Sequence, residues 1–216
     1  MTAFDRYKAS SYAAYNFKLP ERYDSSLVTR LCGVSRMDDA VVEELEGDIQ
    51  SLSVLDVGCA TGRLLGRLAR AGAAKLAGTD LAPRILDVAR AKLTEFGAEP
   101  QLRAADCEDH LPWDSTTFDV VTMTGVLHHF YRPHPALSEI RRVLKPGGRL
   151  ILVDPCFFTP VRQVFNIWLL VHPHDGDYHF YTPAKAERLF DGDLWTGVRS
   201  QRINWCYFSV KAFRSR

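Results

Sequence analysis

Hydrophobic and polar positions fall into two regimes along the chain. From about Leu52 onward, short β-prone runs alternate with stretches whose apolar residues recur every three or four positions. SVLDV (53–57), KLAGT (75–79), EPQLRAA (99–105), FDVVTM (118–123) and GRLILV (148–153) read as strands. RLLGRLARA (63–71), PRILDVARAKLTEF (83–96) and PALSEIRRVL (135–144) read as helices between them. In the second, Ile85, Val88, Ala89 and Leu93 share one helical face, and Pro83 sits where a first-turn proline is tolerated. KPGG at 145–148 ends a helix and launches the next strand. The alternation predicts an α/β protein: a Rossmann-like three-layer αβα sandwich on a mostly parallel seven-stranded sheet. The tail runs TGVRSQRI and WCYFSVKAF are expected to close it as a C-terminal β-hairpin.

Two segments break the rhythm. Residues 1–50 carry Tyr7, Tyr12, Tyr15, Phe17 and Tyr23 and a helix near Asp39–Leu45, and are expected to form an N-terminal helical cover on a domain spanning 51–216. Residues 155–182 read as an apolar, aromatic insertion covering a substrate, with a helix over 161–171. Thr182 then caps a helix that has Pro183 at its first position and runs through Phe190.

Composition narrows the class. A chain of 216 residues, 46% hydrophobic and 25% charged, suits one soluble domain able to bury a substantial core. The net charge of +1 gives no global field for nucleic acid or an anionic membrane, so no nucleic-acid partner is expected. Five separated cysteines without a CxxC pair indicate neither a disulfide framework nor a cysteine zinc site, and fit a reducing, cytoplasmic setting. The first residues lack the apolar core of a signal peptide, and the apolar stretch 164–171 is too short to span a bilayer.

The chemistry concentrates at VLDVGCATGRLL (54–65), where an apolar run breaks into glycines and restarts as a helix. It is not GxGxxG, because Cys59 and Ala60 follow Gly58. Nor is it a P-loop, since no Lys-Ser or Lys-Thr follows; Arg63 is the sole basic candidate for a phosphate. Acids stand at strand ends: Asp56 in the loop's own strand, Asp80 after the second, where a carboxylate can bind both ribose hydroxyls, and Asp106 after the third. With FDVVTMTGVLHHF and VLKPGGRLIL, the set resembles the class I S-adenosylmethionine-dependent methyltransferases, especially the small-molecule group sharing D-x-G-C-x-x-G. The resemblance covers about residues 50 to 154.

That resemblance implies S-adenosyl-L-methionine as cofactor. Gly58 and Gly62 would form the loop against its methionine moiety, which Asp56 orients. Asp80 would hold the ribose, Leu81 pack on adenine, and Asp106 with the Cys107 amide read the adenine edge, with Thr124 also at the cofactor. Ala60 departs from the family, which most often has glycine there. A zwitterion with a sulfonium needs no phosphate-binding lysine.

His128 and His129 follow the fourth strand, at the rim where ligands of open α/β sheets lie, and a histidine there can deprotonate an acceptor. His129 is slightly favoured over His128 as catalytic base. HPHDGDYHFYTP (172–183) precedes a helix; His172, His174, Asp175, Asp177 and His179 match no defined metal spacing, so no metal is expected. His179, Tyr181, Tyr12, Tyr15 and Trp168 are instead candidates to bind the acceptor, expected to be a small apolar or aromatic molecule. Arg22–Tyr23 are candidates to reach the methionine carboxylate. Asp154-Pro155-Cys156 follows the fifth strand rather than the fourth, which disfavours the cysteine nucleophile of RNA cytosine methyltransferases. Two other classes stay open: a non-catalytic S-adenosylmethionine-binding partner subunit, and a nicotinamide-dependent oxidoreductase, which the broken glycine fingerprint disfavours. Oligomeric state is not readable from the sequence.

Overall fold

A computed structural model describes residues 2–18, 35–171 and 176–216. Its helices are α1 (Ala3–Ala13), α2 (Ser35–Leu45), α3 (Arg63–Arg70), α4 (Pro83–Glu95), α5 (Pro133–Val143), α6 (Thr159–Val171) and α7 (Pro183–Glu187). Its strands are β1 (Ser53–Val57), β2 (Lys75–Asp80), β3 (Gln101–Ala104), β4 (Phe118–Thr124), β5 (Leu144–Pro155), β6 (Trp195–Arg202) and β7 (Tyr207–Arg214). The strands form one sheet in the order β3-β2-β1-β4-β5-β7-β6. The first five run parallel, and β7 pairs antiparallel with both β5 and β6. The Rossmann-like sandwich and the closing hairpin expected from the sequence are both present.

The period-two alternation of a strand explains why the sheet is covered twice. Leu55, Val57, Val121, Met123, Leu150 and Leu152 face a layer containing Ala136, Leu137, Ile140 and Val143 of α5. The intervening Val54, Val120, Ile151 and Val153 pack with Met37, Val41 and Leu45 of α2 and with Leu64 and Leu68 of α3. Each such fully buried aliphatic side chain contributes about 1.5–3 kcal/mol relative to exposure. The strand order reverses between β1 and β4, and the crevice opened there lies at the carboxyl ends of both strands.

Helix α1 was not individually legible in the sequence. It starts with a reciprocal capping box between Thr2 and Asp5, and a π-helical turn (Ala14–Lys18) continues it. The KPGG stretch does not interrupt β5, which begins at Leu144. Phe118 pairs with Leu144 and Val120 with Arg149, so Lys145–Gly148 bulge out of the ladder, with Gly147 at φ 78°. Helix α7 stops at Glu187, short of Phe190, and the chain continues in turns.

Candidate active site

The loop after β1 is folded back on β2. Gly58 and Cys59 both donate their N–H to the Thr79 carbonyl, at 2.8 and 3.0 Å. Gly62 donates to the Cys59 carbonyl (2.8 Å), and Ala60 donates to Asp80 Oδ2 (3.0 Å). Four loop donors are thereby used internally, so they are not available to an anion, unlike the donors of a phosphate-binding loop. Three positions take left-handed backbone: Gly58 (φ 70°), Ala60 (φ 45°) and Gly62 (φ 74°). At position 60 this is a conformation that glycine takes freely and alanine adopts at some cost.

The glycines do two different things. A Cβ on Gly58 would stand 2.5 Å from Val126 Cγ2, and Gly58 borders two cavities. Gly62 borders none of the cavities described below; a Cβ there would meet Leu93 Cδ1 at 2.7 Å, so its bareness serves the packing of α3 on α4. Arg63 is committed to a bidentate fork on buried Asp38 of α2 (Nε–Oδ2 2.6 Å, Nη2–Oδ1 3.0 Å).

Two cavities meet at the switch point. The first is lined by Gly58, Ala60, Asp80, Leu81, Asp106, Cys107, Val126 and, from α1 and its extension, Lys8, Ser11 and Tyr15. Asp80 accepts from Ala60 N–H and from Ala82 N–H (3.1 Å), leaving carboxylate lone pairs for a ligand. Burial pushes its carboxyl up to about 6 despite the N–H groups of Ala82, Ala60 and Leu81. Asp106 Oδ1 accepts from Lys8 Nζ and from Glu108 N–H, both at 2.9 Å. The Cys107 thiol is buried and pushed up by that burial.

The second cavity, of about 480 Å³, shares Tyr15, Gly58, Ala60, Gly125 and His129 with the first. Its other walls are largely apolar, with Met37, Phe157, Phe165 and Phe180, and they include Asp56 and Thr124. Asp56 is buried and accepts from Thr122 Oγ1 (2.8 Å); burial pushes it up to about 8.

The histidines stand at the polar end of this chamber, with ring centroids 3.9 Å apart. His128 is buried, stacks on Phe180 and donates from Nδ1 to Asp154 Oδ1 (3.0 Å). Burial opposes its charge, but the Asp154 carboxylate outweighs that and holds its pKa above the ordinary value. His129 lies between the Gly176 carbonyl (Nδ1, 2.7 Å) and Tyr15 Oη (Nε2, 3.1 Å). Burial and the adjacent His128 hold it below the ordinary value. Tyr7 Oη donates to the carbonyls of His129 (2.7 Å) and Gly176.

The other residues singled out from sequence are dispersed. Tyr12 is 37% exposed against the edge of Phe17, and Trp168 is 41% exposed on α6; neither borders these cavities. His179 and Tyr181 pack edge to face beside the chamber without lining it. Cys156 is buried, as a structural thiol would be, and so are Cys59 and Cys107. Arg22, Tyr23, Cys32, His172, His174 and Asp175 lie outside the described residues. The pattern did not single out Lys8, Val126 or Phe180 for the site, nor Asp154 as a partner of His128. Lys8 and Phe180 come from segments outside the αβ alternation. No helix among the described residues is long and apolar enough to cross a membrane.

Comparison with known proteins agrees with this fold. Residues 55–152 match the family model described as "Methyltransferase domain". A ubiquinone biosynthesis O-methyltransferase of Bordetella avium is 36% identical over 107 residues, which are 50% of this chain and 44% of that protein. A sterol 4-C-methyltransferase of Caenorhabditis elegans is 34% identical over 116 residues, 53% of this chain and 34% of that one. The chain thus spans less than half the length of either curated relative. In structure it is similar to magnesium protoporphyrin IX methyltransferase from Synechocystis, solved with S-adenosylhomocysteine bound. That likeness has a TM-score of 0.74 at 23% identity and covers 97% of this chain and all of that one. From β1 into β5, over residues 55–152, the chain is similar to a methyltransferase domain.

Proposed function

We propose that this chain transfers a methyl group from S-adenosylmethionine to a small apolar or aromatic acceptor. One observation carries the reading: a narrow cleft of about 90 Å³ with the Asp80 carboxylate in its wall joins an apolar chamber at Gly58, Ala60, Gly125 and His129. Asp80 takes the ribose hydroxyls, Leu81 lies against adenine, and Asp106 with the Cys107 amide takes the adenine edge. The bare surface of Gly58 seats the methionine part. Asp56 and Thr124 line the adjoining wall, where a buried carboxylate suits the ligand's ammonium and sulfonium. Gly62 acts through helix packing rather than contact.

The donor methyl is already activated by the cationic sulfur, so the protein's task is alignment and exclusion of water. The acceptor occupies the chamber of Met37, Phe157, Phe165 and Phe180, with its nucleophilic atom toward His128 and His129. Helix α1 and its extension act as a cover, with Lys8, Ser11 and Tyr15 lining the cleft. The names of the curated relatives, a ubiquinone biosynthesis O-methyltransferase and a sterol 4-C-methyltransferase, fit an apolar acceptor.

Thermal shift separates this reading from a nicotinamide enzyme. S-adenosylhomocysteine at about 100 times its Kd should stabilise by about 2.7 kcal/mol, and NAD not at all. Labelled donor with a panel of phenols and apolar alcohols then tests turnover. Donor binding without transfer to any acceptor would favour a non-catalytic partner subunit, and no binding of S-adenosylhomocysteine would overturn the reading.

A further inference from the structure

His128 and His129 are poorly arranged to act as separate bases. His129 has both ring nitrogens engaged, by the Gly176 carbonyl and by Tyr15 Oη. His128 donates from Nδ1 to Asp154, so its Nε2 lone pair points at another acceptor, Asp177 Oδ1, 3.6 Å away. The same carboxylate oxygen lies 3.3 Å from His129 Nδ1. Two nitrogens and a carboxylate oxygen thus converge within 4.8 Å of one another, a grouping of metal-ligating type among the described residues.

The two edges that meet at Asp177 Oδ1, 3.6 and 3.3 Å, fit a cation in the middle. Ligands bound at about 2.0–2.2 Å in tetrahedral geometry stand about 3.3–3.6 Å from one another. The surroundings fit as well. Ligating histidines are normally oriented by a partner on the other ring nitrogen. Asp154, buried, does this for His128, and Tyr15 Oη stands at Nε2 of His129. The Gly176 carbonyl, 2.7 Å from His129 Nδ1, stands too close to it to be a further tetrahedral ligand and keeps its hydrogen bond from Tyr7 Oη. All three side chains border the apolar chamber, so an ion there faces the bound acceptor.

We propose that His128 Nε2, His129 Nδ1 and Asp177 hold a divalent first-row cation, which binds the nucleophilic oxygen of the acceptor. Two imidazoles and a carboxylate select zinc, manganese or iron(II) over magnesium and calcium. On binding, His129 carries its proton on Nε2 and donates it to Tyr15 Oη, freeing Nδ1 for the ion. The acceptor hydroxyl loses its proton to solvent on coordination. Its oxygen lone pair then forms the bond to the methyl carbon, and the carbon–sulfur electron pair returns to sulfur, giving a neutral thioether. The transfer step rests on the methyltransferase reading above; the ion site does not.

The test uses chelator-stripped full-length chain without donor or acceptor. Equilibrium dialysis against zinc and cobalt(II) absorption are expected to give one ion per chain, with the cobalt spectrum of a site containing nitrogen ligands. Asp177→Asn and His128→Gln are expected to weaken binding at least about tenfold. Asp87→Asn, on the exposed face of α4, should leave it unchanged. S-adenosylhomocysteine binding, measured on the same variants, reports that they are folded and tests the cofactor reading separately. Absence of stoichiometric binding, or equal affinity in Asp177→Asn, would overturn the ion site; undiminished transfer after chelation would overturn the ion's contact with the acceptor oxygen.

Discussion

At the residue scale, the loop's hydrogen bonds say more about the ligand than its glycines do. Gly58, Cys59, Ala60 and Gly62 spend their N–H groups inside the protein, and the nearby Asp56 carboxyl is buried. Such a place repels an anion and suits a cation. Asp56 also has a cost that varies with pH. Its folded pKa, pushed up to about 8 by burial, lies above the unfolded value of about 3.9. Its contribution is therefore fully present below pH about 4 and is lost progressively as pH rises toward 8. Asp56→Asn keeps an acceptor for Thr122 Oγ1 and has no charge to bury. Its Tm should exceed that of the parent by several degrees at pH 8 and converge with it at pH 4, read by calorimetry without ligand. A constant difference across that range would refute the buried charge as its cause. Asp80 moves the opposite way with respect to ligand. Ionisation through about 6 improves it as acceptor for two hydroxyls, so S-adenosylhomocysteine affinity should rise between pH 5 and 7 and lose that slope in Asp80→Asn.

At the scale of elements, what the sequence disclosed depended on how each piece earns its stability. Strands β1, β4 and β5 are buried on both faces, and their apolar runs stand out without any tertiary knowledge. The acids at the ends of β1 and β2 were legible for the same reason, because the strand pattern fixes where the rim is. Helix α1 was not, since its buried side includes Ser11 as well as Tyr7, and it is held by polar tethers to distant residues. Those tethers are Lys8 to Asp106 and Glu108, Tyr7 to the carbonyls of His129 and Gly176, and Asn16 Oδ1 accepting from Arg84 N–H. The cluster of His128, His129 and Asp177 was hidden likewise, as its donors come from positions nearly fifty apart. Because Lys8, Ser11 and Tyr15 line the cleft that holds Asp80 and Asp106, a ligand taken up there meets α1. Lys8→Met keeps the apolar stem and removes the charge that ties α1 to Asp106. Association and dissociation of S-adenosylhomocysteine in stopped-flow fluorescence are expected to quicken together, several-fold, with a smaller change in Kd. Unaltered rates would mean that α1 is not the gate.

For the whole molecule, the reversal of strand order between β1 and β4 puts every residue assigned to the cofactor on one edge of the sheet. The opposite edge also has a cavity, of about 610 Å³, among Lys75, Gly97, Glu99, Gln101 and Lys145, yet no part of the proposed chemistry lies there. The two edges thus provide a test internal to one protein. A ligand that bridges the ends of β1, β2 and β4 suppresses the local openings through which backbone amides exchange, but only where it makes contact. Saturating S-adenosylhomocysteine should therefore slow exchange in 57–61, 80–82, 105–108 and the α1 segment around Tyr7–Tyr15. Segments 73–76 and 97–101 should keep their rates apart from the uniform slowing of globally exchanging amides that any stabilising ligand produces. Protection centred on the far edge would place the ligand in the wrong cavity and remove the roles given to Asp80, Leu81 and Asp106 together. Protection at the near edge without α1 would keep those roles and restrict the cover to residues after 35.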